Sequence, residues 1–147
     1  MSATSDLLYG LAQYLADQGI VTYPLAAGTS YTAGQTGVTF DLMPQAPDRV
    51  VCLTAYAASD DAANPWSSMR VQVRTRGLPS QPDDLWTLRD SVYNALQSES
   101  ALTFGTVTVA QILRVSSVPL GMDTNRRFEH ADNYQLDIQL PATANRQ

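Results

Sequence analysis

Nucleophilic catalysis by Ser or Cys needs a base, normally His, which a third group orients. The chain has one histidine, His130. Its neighbours Glu129 and Asp132 are the groups that could orient it, but strand alternation sends Glu129 to the opposite face. No Gly-x-Ser-x-Gly turn presents a serine. His130 therefore reads as a surface or interface histidine. The acidic pairs Asp60-Asp61 and Asp83-Asp84 do not make a metal site or a glycosidase pair, because adjacent side chains point apart and the second pair suits a helix start. Gly28, Gly34 and Gly37 lack the Lys-Ser or Lys-Thr of a phosphate loop. Cys52, the single cysteine, lies in the apolar run Val50-Val51-Cys52-Leu53 and reads as a small buried hydrophobe, with no disulfide framework and no metal spacing around it. The residues thus predict no catalytic set, no metal and no cofactor.

The charge balance narrows the function classes. Nine basic against fourteen acidic residues leave a net charge of −5, and all nine basic residues are Arg. A protein that grips phosphates carries a basic footprint, so affinity-bearing contact with DNA is not expected. Charged residues are 16% of the chain, below the roughly 25% of soluble domains. A surface this poor in charge is expected to be covered in part by other protein chains.

The elements that carry these residues follow from periodicity. Thr4 or Ser5 is placed to cap a helix with Leu7, Leu8, Leu11, Tyr14 and Leu15 on one face, stopped by Gly19. Ile20 to Tyr23 reads as a short strand. Residues 24–37 read as a loop rich in small residues, expected to be mobile until a neighbouring protein orders it through Tyr31. Val38 to Leu42 and the apolar run Arg49 to Ala57 read as strands around the turn Met43-Pro44-Gln45-Ala46-Pro47-Asp48. From Met69 to Arg76 alternation is strict, with Met69, Val71 and Val73 facing a core and Arg70, Gln72, Arg74 and Arg76 facing away. Asp83 and Asp84 open a second helix that ends near Gln97. Two β-rich stretches fill Leu102 to Ser117, a loop spans Leu120 to Asn125, and a long strand runs from Phe128 to Leu140. Residues 142–147 read as a polar tail. This order predicts one α+β domain, an antiparallel or mixed β-sheet with two helices packed on one face. Nothing approaches 18 consecutive apolar residues, so no membrane span is expected.

Four stretches in order, Met43 to Asp48, Met69 to Gly77 with the helix after it, Gly121 to Glu129, and Asn133 to Leu136, resemble the tailed-phage tail terminator and minor capsid family. The resemblance covers residues 6 to 140; the segment between Tyr23 and Val38 is longer than that family's pattern. It implies a structural virion protein with no reaction and no cofactor, made in the host cytoplasm and placed at the neck, the head–tail junction. It implies a homo-oligomeric ring, usually a hexamer, that closes the tail tube, contacts the tail tube protein and the head-side connector or stopper, and lets genomic DNA pass without specific binding. A head-completion or stopper protein is the alternative within the same class, and a small cytosolic enzyme with an unrecognised site the alternative outside it. The expected contact residues toward subunits or partners are Arg70, Arg74, Arg76, Tyr31, Arg126 and Arg127.

Overall fold

The computed structural model describes residues 2–60, 66–97 and 102–139. Helix α1 spans Ala3–Asp17. Its cap lies earlier than the sequence suggests: Ser2 is the N-cap, and its hydroxyl accepts from the Ser5 N–H at 3.0 Å. Leu7, Leu8, Leu11, Ala12 and Leu15 form the buried stripe. At the far end Gly19, at φ +77°, donates to the Ala16 carbonyl and Ile20 to the Leu15 carbonyl, a Schellman termination. That termination consumes Ile20, so the strand expected over Ile20 to Tyr23 is replaced by bends and coil. Helix α2, Pro82–Leu96, begins with proline in its first turn and Asp83 and Asp84 behind it, and buries Leu85, Leu88, Val92 and Leu96.

The strands are β1 (Gly37–Phe40), β2 (Val50–Asp60), β3 (Trp66–Pro79), β4 (Leu102–Phe104), β5 (Val107–Met122) and β6 (Arg127–Gln139). They form a single mixed sheet in the order β1-β2-β3-β6-β5-β4; β1 runs parallel to β2 and every other pairing is antiparallel. Both helices contribute to one core with Val51, Leu53, Val71, Val73, Tyr134, Leu136 and Ile138, so they cover the same face of the sheet. Each fully buried Leu, Ile or Val contributes about 1.5–3 kcal/mol relative to exposure. The α+β class and the two-helices-on-one-sheet arrangement are therefore as the periodicity predicts. The tail at 142–147 and the connection at 61–65 lie outside the described residues.

One expectation fails instructively. The loop placed at Leu120 to Asn125 is strand as far as Met122, because β5 pairs with β6 down to Met122 opposite Phe128. Pro119 and Gly121 do not end it; the register absorbs three irregularities, at Ala110, Val115 and Leu120. The turn itself is short: Arg126 donates to the Asp123 carbonyl, Asp123 to the Arg127 carbonyl, and Arg126 takes the left-handed conformation at φ 64°.

Candidate assembly interface

The sheet face turned away from the helices divides in two. Along its middle it is open and polar, with Arg70 exposed and 3.4 Å from Gln135 and Asn133 bonded to Ser116. At the end where β3 leaves the sheet, the turn from Met43 to Asp48 folds over it. Arg76, 2% exposed, donates to the carbonyls of Pro47 at 2.7 Å and Asp48 at 2.9 Å. Arg127, also 2% exposed, donates to the Gln45 carbonyl at 2.6 Å and pairs with Asp48 and Asp123. Arg74 bonds Glu129 at 2.6 Å. Three arginines and three carboxylates thus close on one another, tying the turn, the end of β3 and the tip of the β5–β6 hairpin into one clamp. Burial, then the nearby Arg127 charge, pushes the Arg76 guanidinium below its ordinary value. Burial raises the Asp123 carboxyl, but the backbone and side chain of Arg127 more than offset it and hold it below the usual carboxylate range.

This corrects the placement of two expected contact residues. Alternation puts Arg76 on the face away from the helices, as the sequence indicates, yet that face has its own cover there. Arg76 and Arg127 are internal structural groups, not surface arginines. Arg74 retains 41% side-chain exposure beside its carboxylate partner, and Arg126 is exposed at the hairpin tip. Tyr31 turns toward its own chain: its hydroxyl donates to the Thr22 carbonyl at 2.7 Å and accepts from the Val38 N–H at 3.1 Å. It thereby pins the 24–37 loop against the outer edge of β1.

His130 lies on the helix-covered side, level with β5. Its Nε2 is 2.7 Å from the Ser117 hydroxyl, which is itself 2.7 Å from Asp132. Asp132 accepts two bonds from Arg89, at 2.7 and 2.8 Å. The residue types are those of a hydrolase triad in the wrong order. An ionised carboxylate only accepts, so the Ser117 proton points to Asp132 and the imidazole must donate to the hydroxyl oxygen. The histidine cannot remove a proton from that serine. Burial, followed by the charge of Arg89, pushes the imidazole below its ordinary value. Burial tends to raise the Asp132 carboxyl, but the bonds from Arg89 and Ser117 prevail and lower it. A cleft of about 550 Å³ opens between the end of α1 and α2. Its two charged lining residues, Arg49 and Asp84, pair with each other at 2.6 Å. Burial raises the Cys52 thiol, in keeping with a packed rather than a reactive cysteine. Among the described residues no group of three or more His, Cys, Asp or Glu is placed to hold a metal.

The feature sequence reasoning missed is the edge of β5. On that side β4 pairs only with Val107–Val109, and no described strand lies beyond it from Ala110 to Met122. The Arg114 N–H is taken by the Gln97 side chain. Of the eight large apolar residues exposed among the described residues, Val115, Val118, Leu120 and Met122 fall within eight consecutive positions of this edge. Trp86, 56% exposed, shares a helical stripe with Arg89 and Tyr93, which reach Ser117 and Arg114 of β5. Its four apolar residues straddle the end of the β-rich stretch and the loop expected from Leu120 to Asn125, so their common edge does not show in the local pattern.

A family model for the bacteriophage tail terminator protein matches residues 14–140. The chain belongs to the bacteriophage tail terminator family. No curated protein matches the sequence significantly. The match spans the last turn of α1, all of α2, all six strands and the arginine clamp, whose three contributing segments are among the stretches on which the resemblance rested. The terminator is a structural component of the phage tail, and its family is one of structural proteins.

Proposed function

We infer that this terminator closes the end of the tail tube as a ring of identical subunits, with six as the expected number, and joins the tail to the head-side connector at the neck. The observation that carries the reading is the apolar edge of β5, which no other described strand covers, in a chain of the terminator family. An unpaired strand edge with exposed apolar side chains is a template for another chain, and a head-to-tail contact closes into a ring when its rotation divides a full turn. The tail tube protein on one side and a connector or stopper on the other are the partners this role requires. Genomic DNA passes through the ring unread, which the net charge of −5 favours by keeping phosphates from sticking. No reaction is part of the role, in keeping with a Ser117 proton committed to Asp132. The subunits are made in the host cytoplasm and incorporated into the virion there. Arg70, Arg74 and Arg126 remain available as polar rim contacts, where a charge alters association rate and specificity more than affinity. Light scattering on the purified protein, with electron microscopy of negatively stained particles, tests the ring: closed rings of one stoichiometry are expected. A monomer at every concentration, with tails of normal length and attachment made in its absence, refutes the role.

A further inference from the structure

Among the described residues the sheet leaves a second stretch of edge uncovered. On the opposite side β1 pairs with Val50–Leu53 only, so β2 from Thr54 to Asp60 has no described neighbour beyond it. The edge of β1 itself is closed, since Tyr31 occupies the Val38 N–H and Leu42 donates to the Phe40 carbonyl. The molecule thus presents two unlike open stretches of similar length, Thr54–Asp60 on β2 and Val115–Met122 on β5.

We propose that these two stretches are the halves of one subunit contact, the β5 stretch of one copy adding antiparallel to the β2 stretch of a second copy. This rests on the ring reading above and names the surface that would build it. Strand direction favours it: β2, β3, β6 and β5 alternate, so β5 runs opposite to β2. A second copy in the same orientation, helices on the same side, therefore meets it antiparallel. The outlines of the edges agree as well. β1 covers the first residues of β2 and β4 the first residues of β5, at opposite ends of the sheet. A copy slid along the strands so that Met122 lies opposite Thr54 brings open stretch to open stretch. In that position β1 of the second copy passes beyond the hairpin tip and β4 of the first passes beyond Asp60. Strand stagger of this kind is also what closure of a sheet requires.

Side chains fit the same alignment. It places Leu120 opposite Tyr56, exposed by 46% and 51%, each the extra residue at an irregularity of its strand. Pro119 withholds one donor from the ladder, and together with the bulges restricts which strand can add. Because the two stretches differ, the contact is head-to-tail and each copy keeps one half free for the next.

The test is disulfide trapping in the full chain with Leu120→Cys and Tyr56→Cys, singly and together; Cys52 is buried. Mild oxidation of the double variant should give a ladder of covalent oligomers on a denaturing gel, while each single variant stays monomeric there. Hydrogen exchange on wild-type protein provides a readout without substitution, with backbone protection over residues 115–122 and 54–60 expected to rise at least about tenfold from dilute monomer to assembled ring. Efficient dimers from Leu120→Cys alone would show a two-fold β5–β5 contact and overturn the proposal. Rings that form with no cross-link and no added protection at either stretch would overturn this surface while leaving the ring reading intact. A protein that never associates would refute both.

Discussion

Replacing Arg76 with alanine separates a folding role from an assembly role. The guanidinium gives two charge-assisted bonds, to the Pro47 and Asp48 carbonyls at 2.7 and 2.9 Å. Bonds to charged groups contribute about 1.5–3 kcal/mol each, so the pair supplies roughly 3–6 kcal/mol. Against this stand the cost of keeping a guanidinium at 2% exposure and its repulsion from Arg127, both relieved by the substitution. The alanine also leaves a cavity and two carbonyls unpaired. A net loss of about 3 kcal/mol follows, a large fraction of the 5–15 kcal/mol that holds a domain together. At roughly 3 °C per kcal/mol for a chain of this size, Tm should fall by about 10 °C. Urea denaturation at a concentration where the protein is dissociated is the assay, with the midpoint shifted and the slope unchanged. A loss below about 1 kcal/mol accompanied by failure to associate would refute the clamp and restore Arg76 to the surface role that alternation alone suggests.

His130 carries a pH signature. Its folded pKa is lowered, so the unfolded chain binds the proton more readily. The stability involved is fully present above the ordinary histidine value near 6.5 and declines as pH falls through the window below it. Replacing His130 with glutamine should flatten melting temperature across about pH 5–7, and superimposable profiles would count against the assignment. At the hairpin tip, Arg126→Gly should leave stability unchanged or raise it by up to about 1 kcal/mol by removing left-handed strain, whereas Arg126→Val should lower it by about 1–2 kcal/mol. Equal melts for the two would contradict the turn geometry. For Gly77, a Cβ would lie 2.7 Å from the Leu85 backbone nitrogen, which cannot swing aside. Gly77→Ala should cost about 2 kcal/mol in chemical denaturation, and a neutral result would mean that α2 does not pack as described.

What the sequence made legible is what local periodicity controls. The stripe of Leu7, Leu11 and Leu15 and the alternation of Met69 to Arg76 specify both element type and face. Alternation cannot say what lies over a face, and so it offered Arg76 to a neighbouring subunit when a turn almost thirty residues earlier in its own chain covers it. Residues 20–23 have strand-forming types, but the helix termination uses the Ile20 N–H and leaves no straight segment to pair. Pro119 and Gly121 are ordinary loop markers; in β5 they are tolerated because no described strand of the chain lies beyond that stretch and because bulges take up the extra residues. The polar cluster of Arg89, Ser117, His130 and Asp132 joins three elements, and only the fold brings it together.

The arginine clamp has a consequence for how cheaply copies of the chain can join. It anchors the tip of the β5–β6 hairpin to the turn before β2 through Arg127, Asp123 and Gln45, close to the end of the open β5 stretch. A hairpin left unanchored there would lose backbone freedom on association, at about 1 kcal/mol for each residue ordered. Held by the clamp, the stretch has already lost that freedom in the isolated subunit. The ordering entropy is met during folding, so the apolar contacts of Val118, Leu120 and Met122 can go into affinity.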